Sequence, residues 1–323
     1  PMSHVVEGIL ASYACYYNLC KLDVYYLEDI HQLAKALPKV KPTFFFSVPR
    51  FYEKLWEGFC NSRIGSFYTG LGNGHLKKLI RPLIRKAVLK KAGLHKCLQM
   101  VVGSAPMSSE LLRAFRELGI EIHNAYGLTE APLVTLNRLG DNELGTVGEP
   151  LPQTHIRIAE DGEILVKGPQ VACGDSYLHT GDLGEMTESG KLIVTGRKKE
   201  MIITSYGKNI QPLKIERMLK DIAFITESIL VGNSRPYCTA ILWTDKSFQN
   251  QSDYRGFLQQ IANINTQLSN PEKIKRWAIV KRQLSINHGE LTPNMKLKRD
   301  VVMERYREVI EALYDDDPMP EYV

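Results

Sequence analysis

The chain has 323 residues, a length that fits about two domains and a sizeable core. Apolar residues make up 44% and charged residues 24%, which excludes a fully disordered or collagen-like chain. The net charge of +5 is mild, and no nucleic-acid partner is expected. The six cysteines (Cys15, Cys20, Cys60, Cys97, Cys173 and Cys238) form no CxxC pair and no zinc-spaced cluster. They read as reduced thiols, so the expected location is cytoplasmic. No apolar run reaches about 18 residues, the length that spans a bilayer. The first residue is Pro1 rather than methionine, which suggests a fragment, a processed product or part of a longer chain.

Val5 to Cys20 is apolar without breakers and predicts a helix. Pro42 to Pro49 (PTFFFSVP) is an aromatic run between prolines and predicts a buried strand. A helix over Phe51–Phe59 follows. From His75 to Lys96, Leu76, Leu79, Ile80, Leu83, Ile84, Ala87 and Val88 keep helical spacing among many lysines and arginines. This fits a core helix with a solvated basic face, kinked near Pro82. It also fits a basic amphipathic helix, 77–96, lying peripherally on an anionic membrane. Cys97–Val102 predicts a buried strand. Ser108–Leu118 predicts a helix capped by Ser108, and Glu121–Tyr126 the next strand. This alternation indicates an α/β sheet with ligand loops at strand ends.

After Gly145 the pattern changes to short alternating strands at Thr154–Ile158, Gly162–Lys167 and Lys191–Thr195. A helix over Pro212–Leu219, strands at Ser228–Val231 and Tyr237–Thr244, and helices near Tyr254–Leu268 and Asp300–Tyr314 follow. The expected boundary lies near Gly196–Lys199, giving domains 1–196 and 197–323. The end, DDDPMPEYV, reads as a loose tail.

Five motifs carry candidate chemistry. In Asn124-Ala125-Tyr126-Gly127-Leu128-Thr129-Glu130, the glycine permits a tight turn, the hydroxyl of Thr129 suits a phosphate oxygen, and the carboxylate of Glu130 suits Mg²⁺. In His179-Thr180-Gly181-Asp182, an aspartate beside glycine suits two neighbouring hydroxyls, as on ribose. In Gly103-Ser104-Ala105-Pro106, small residues let a flat ring approach the backbone. In Gly196-Arg197-Lys198-Lys199-Glu200, Arg197 can bind hydroxyl or phosphate oxygens. In Leu291-Thr292-Pro293-Asn294-Met295-Lys296, a lysine can meet a transferring phosphoryl group. Taken singly, each also fits a polar turn, a charged linker or a basic loop.

In this order, YGLTE, HTGD, GRKKEMI and LTPNMKLKR resemble the adenylate-forming superfamily, specifically the AMP-forming long-chain fatty acyl-CoA synthetases. The resemblance runs from Pro1 to about Tyr314. It implies the C-terminal portion of a large α/β adenylation domain, with mixed sheets, helices and a small β-barrel-like part, then a small α+β C-terminal domain. It implies ATP, Mg²⁺ and CoA, and a fatty acid as the other substrate. By resemblance, Gly103, Ser104 and Ala105 flank the adenine, Asn124 reads its exocyclic amine and Tyr126 stacks on it, with Gly127 beside them. Thr129 binds phosphate and Glu130 binds Mg²⁺. Asp182 holds the ribose hydroxyls with Arg197. Lys296 stabilises the adenylation transition state, and Lys199 is the hinge of the small domain. Ser205, Tyr206 and Gly207 line the pantetheine tunnel, and His4 lies near the acyl and phosphate site.

The Ser/Thr/Gly-rich phosphate loop that the resemblance implies would precede Pro1, so the chain as given is expected to be inactive alone. The stretches 58–77 and 170–177 look shortened. Two other readings stay open: an acyl-AMP ligase that passes its acyl group to a carrier protein, and a truncated, non-catalytic nucleotide- or acyl-binding module.

Overall fold

The computed structural model describes residues 8, 22–27, 32–72, 74–105, 107–174, 176–222, 224–244, 251–292 and 296–315. Apart from Gly8, the expected helix over Val5–Cys20 lies outside the described residues, as do His4 and the end of the tail (316–323).

Helix α1 (Leu33–Val40) leads into strand β1 (Phe44–Ser47) and helix α2 (Pro49–Cys60). Pro49 opens α2, where its missing N–H costs nothing. Tyr52 and Phe59 recur at helical spacing and are buried. Helices α3 (Arg63–Gly70) and α4 (His75–Ala92) follow. Strand β2 (Gln99–Val102), helix α5 (Ser109–Glu117) and strand β3 (Ile122–Tyr126) complete an alternating run. Ser108 caps α5 by accepting from the Leu111 N–H at 3.3 Å. The strands β1, β2 and β3 pair in parallel, with Phe46 opposite Val101 and Val102 opposite Asn124. Strands β4 (Thr135–Leu136) and β5 (Glu149–Pro150) extend this sheet antiparallel. Tyr52, Phe115, Leu118, Ile120 and Val102 form its core, and the Tyr52 hydroxyl donates to the Val101 carbonyl at 3.1 Å.

A four-stranded sheet has the order β6 (His155–Ile158), β7 (Glu163–Lys167), β8 (Leu178–Met186), β9 (Leu192–Arg197). A short hairpin, β10 (Ile202–Ile203) with β11 (Asn209–Ile210), precedes helix α6 (Pro212–Lys220). The last sheet has the order β12 (Ile225–Val231), β13 (Cys238–Thr244), β14 (Ile274–Val280), with helix α7 (Gln251–Thr266) between the last two strands in sequence. Helices α8 (Arg299–Arg305) and α9 (Arg307–Ala312) close the described chain. Ile215, Leu219, Leu242, Phe257 and Ile279 sit in one core, and Trp243, Val302 and Ile310 in another.

The α/β expectation holds, and several details differ. Helices α1 and α3 and the two-residue strands β4, β5, β10 and β11 had no counterpart among the expected elements. The segment HTGD, read as a turn, is part of strand β8. Strand β14 has no counterpart in the sequence reading, because Lys275 and Arg276 interrupt its apolar run. The last helix is broken at Tyr306, whose ring packs 5.5 Å from Trp243 and whose hydroxyl accepts from Arg282 at 3.0 Å.

The basic helix α4 runs through Pro82 without ending. Its apolar stripe is only partly covered. Val88 and Leu89 are buried, while Leu79 and Leu83 are 75% and 70% exposed.

The chain divides into two compact units. One comprises Pro1–Ile158, Leu165–Thr180 and Met186–Ile193, and the other Ala159–Ile164, Gly181–Glu185 and Val194–Val323.

Candidate active site

In the first unit, two expected segments lie side by side. Gly103 follows β2 and Asn124 to Tyr126 end β3, the adjacent parallel strand. Loops at the C-terminal ends of neighbouring parallel strands are where open α/β sheets hold ligands. Gly103 is buried, and a Cβ there would lie 3.0 Å from the Phe46 ring. Ser104 has φ +68°, a left-handed backbone that only a local constraint sustains in a non-glycine residue. Ala105 is half-buried. The Asn124 amide donates through Nδ2 to the Thr146 carbonyl at 2.9 Å, which fixes the plane of its side chain. Tyr126 is half-buried. At Gly127 a Cβ would fall 2.3 Å from the Pro132 carbonyl oxygen, so the tight approach admits only glycine. The turn is held by the Leu128 N–H to Ala131 O at 2.8 Å. Thr129 and Glu130 are exposed on it, and the Glu130 carbonyl accepts from the Ala172 N–H at 2.9 Å.

In the second unit, Asp182 is only 3% exposed, and its Oδ1 lies 3.0 Å from Nε of the exposed Arg197. Lys296 is half-buried near both. Burial lowers its pKa and Arg197 lowers it further, while Asp182 opposes them, leaving the amine below the ordinary 10.5. The structure thus brings together three expected residues that are far apart in sequence. Lys296 belongs to a short loop closed by a bridge between Leu291 and Leu297. The Thr292 N–H donates to the Lys296 carbonyl at 2.8 Å, and the Lys296 N–H to the Thr292 hydroxyl at 3.0 Å. Pro293, Asn294 and Met295 lie outside the described residues.

Glu290 closes the base of this loop through its backbone, while its buried carboxylate gathers donors from elsewhere. Glu290 is fully buried, and its carbonyl accepts from the Lys298 N–H at 2.8 Å. Its side chain accepts from Arg282, from the Ser285 N–H at 3.1 Å and from Arg305 at 2.8 Å. Burial alone would raise the Glu290 pKa, but these donors together hold it down at about 2.

Lys199 is exposed in a short 3₁₀ turn, Lys198–Glu200, directly after β9. Ser205, Tyr206 and Gly207 are exposed in the tight β10–β11 hairpin. There Gly207 has φ +69°, and the Ser205 N–H donates to the Arg235 carbonyl at 2.9 Å. Sequence reasoning missed Asp161, Glu163 and Lys198. Lys198 lies 2.6 Å from Asp161 and 3.1 Å from Glu163. An acidic residue opening a strand whose next three residues are apolar, EILVK, was the available signal for Glu163.

Among the described residues no group of three or more His, Cys, Asp or Glu is placed to hold a metal ion. A lone exposed carboxylate such as Glu130 suits Mg²⁺, which keeps waters and takes its remaining ligands from substrate phosphates.

Residues 1–174 match the family described as AMP-binding enzyme, and residues 199–318 match the AMP-binding enzyme C-terminal domain. The chain belongs to the AMP-binding enzyme family. Within it, the chain is 32% identical to the long-chain-fatty-acid–CoA ligase FadD15 of Mycobacterium bovis, over 98% of this chain and 62% of that protein. It is 28% identical to the long-chain-fatty-acid–CoA ligase ACSBG2 of Gallus gallus, over 89% of this chain and 48% of that protein. The chain therefore spans about half to three-fifths of these relatives. The first alignment covers 372 positions, more than this chain contains, so stretches of that relative have no counterpart here. The ATP-bound RpMatB-BxBclM chimera B1 shares the fold, with a TM-score of 0.71 at 22% identity over 96% of this chain and 60% of that one. This family member therefore has the adenylate-forming fold that its motif order predicts.

Proposed function

We propose that the complete protein is an AMP-forming long-chain fatty acid–CoA ligase. The observation that carries the reading is the convergence of Asp182, Arg197 and Lys296 in one unit. The long-chain acyl preference rests on the names of the relatives.

In the first half-reaction, a fatty acid carboxylate oxygen attacks the α-phosphorus of ATP. The bond to the bridging oxygen breaks, and pyrophosphate leaves with the electron pair. Asn124, with its amide nitrogen committed to Thr146, presents its carbonyl oxygen to the adenine amine. Tyr126 stacks on the base beside the small residues Gly103, Ser104 and Ala105. Asp182 accepts from the ribose hydroxyls, with Arg197 beside it. Thr129 donates to a phosphate oxygen, and the Lys296 ammonium offsets the negative charge that grows at the α-phosphate. Glu130 would hold Mg²⁺, which neutralises phosphate charge when bound. In the second half-reaction the CoA thiol loses its proton, its sulfur attacks the acyl carbon, and AMP leaves. The hairpin carrying Ser205, Tyr206 and Gly207 lines the route for pantetheine, and Lys199 is the pivot that exchanges one half-reaction for the other.

The test is pyrophosphate release by the complete protein with ATP and Mg²⁺, with and without a long-chain fatty acid, followed by product analysis with CoA. Fatty-acid-dependent release and an acyl-CoA product support the reading. Acyl-AMP that never becomes a CoA thioester overturns it in favour of carrier-protein transfer. No release at all leaves the non-catalytic binding module.

We also propose a cytoplasmic protein that touches anionic membranes through α4. Among the described residues no helix is long and apolar enough to cross a membrane. Exposed Leu76, Leu79 and Leu83 stand among lysines on that helix. Salt-sensitive sedimentation with anionic vesicles, lost in Leu79→Asp, is the expected result.

A further inference from the structure

Glu163 is a buried charge that the proposed chemistry leaves unused. It opens β7 with a side chain only 7% exposed, and a carboxylate removed from water persists only with donors around it. Two of its donors are adjacent in the chain to the proposed ribose pair. The Gly181 N–H, one residue before Asp182, donates to Oε1 at 2.9 Å. The Lys198 ammonium, one residue after Arg197, donates to Oε2 at 3.1 Å. Asp182 and Arg197 meet at 3.0 Å. The contacts close a ring from Glu163 through Gly181–Asp182 to Arg197–Lys198 and back.

The ring has its own support. Asp161 accepts the Glu163 N–H at 3.1 Å and meets Lys198 at 2.6 Å. The Gly162 N–H donates to Ala159 at 2.9 Å, and the Gly184 N–H donates to Gly162 at 3.0 Å. Gly181 has φ +69°, so within β8 it departs from strand geometry just before Asp182. A backbone kink there and a strand end at Arg197 are the two places where the pair could drift apart. Glu163 is bonded at both.

We infer that Glu163 is a positioning residue for the ribose end of the nucleotide site, setting Asp182 and Arg197 at the spacing that two adjacent hydroxyls require. This rests on the proposed role of Asp182. All five residues lie in one compact unit.

Steady-state adenylation by the complete protein, with ATP and with 2′-deoxyATP, tests it. Glu163→Gln keeps an acceptor for Gly181 but turns an amide donor toward Lys198. It is expected to raise the KM for ATP about fivefold, the worth of one ordinary hydrogen bond. The KM for the fatty acid stays unchanged, and the preference for ATP over 2′-deoxyATP falls toward that of Asp182→Asn. Lys198→Met does the same to a smaller degree, and Lys198→Arg restores the preference. An unchanged ATP preference in Glu163→Gln and Lys198→Met, alongside its loss in Asp182→Asn, overturns the inference alone. An unchanged preference in Asp182→Asn removes the ribose reading and the inference with it. Should Glu163→Gln fail to fold, Lys198→Met, which alters a half-exposed side chain, decides by the same criteria.

Discussion

Asp182 and Glu130 are both proposed to meet the same nucleotide, yet they are built in opposite ways. Asp182 is buried against Arg197 and flanked by the Glu163 network. Glu130 stands exposed on a turn whose bonds are backbone bonds. The difference follows from what each must hold. Ribose hydroxyls are neutral and bind by direction, so their acceptor has to be aimed beforehand. A magnesium ion brings its own charge and waters, so its carboxylate gains little from being buried. Lys296 falls on the aimed side of this contrast. It is half-buried, and its loop is tied to the backbone carbonyl of Glu290, whose own carboxylate is fully buried.

The sharpest separation of the two regions comes from Lys296→Ala. Losing a positioned cation is expected to slow adenylation by about 10²–10³-fold. Thioester formation from supplied acyl-AMP stays largely intact, and equal loss in both half-reactions removes Lys296 from its role. Asp182→Asn comes next. It leaves Arg197 without its anion and weakens a buried hydrogen-bonded pair, with an expected loss of about 1–3 kcal/mol in thermal or denaturant unfolding. Raising Mg²⁺ does not restore its activity. Glu130→Gln is expected to behave the other way. Its unfolding free energy changes by no more than about 0.5 kcal/mol, as for an ordinary surface substitution. Its activity recovers, at least in part, as Mg²⁺ is raised. If Glu130→Gln unfolds as readily as Asp182→Asn, the contrast between the two carboxylates is broken.

The order of motifs was legible in the sequence because each motif is local, a few residues with a turn-former and a polar group side by side. The parallel β1–β3 run and the capped helix α5 were legible for the same reason, since apolar spacing and Ser108 act within a few residues. The Glu163 network was not legible. Its members come from strands that become neighbours only through the order β6-β7-β8-β9, and nothing local in EILVK or GRKKE records that adjacency. Strand β8 was missed because a Gly-Asp pair reads as a turn wherever no neighbouring strand is known. How far the apolar stripe of α4 is covered stayed open between a core helix and a surface helix, because helical spacing says which side chains share a face, not what covers them.

The smallest effect tests the aimed side from within. Burial and the Arg197 guanidinium destabilise the Lys296 ammonium, and Asp182 only partly offsets them, so the amine gives up its proton at a lower pH than the ordinary 10.5. Adenylation requires the charged form, so its rate falls as pH rises through that lowered value, whereas below it the lysine is charged and the rate is level. The alkaline limb of the adenylation profile is therefore expected below pH 10.5. Lys296→Arg keeps its charge throughout this range. It is expected to be slower at neutral pH, because the planar fork places its charge differently, and to lack the limb. The same limb in wild type and Lys296→Arg assigns the titration to another group and takes away the electrostatic reason for burying this lysine.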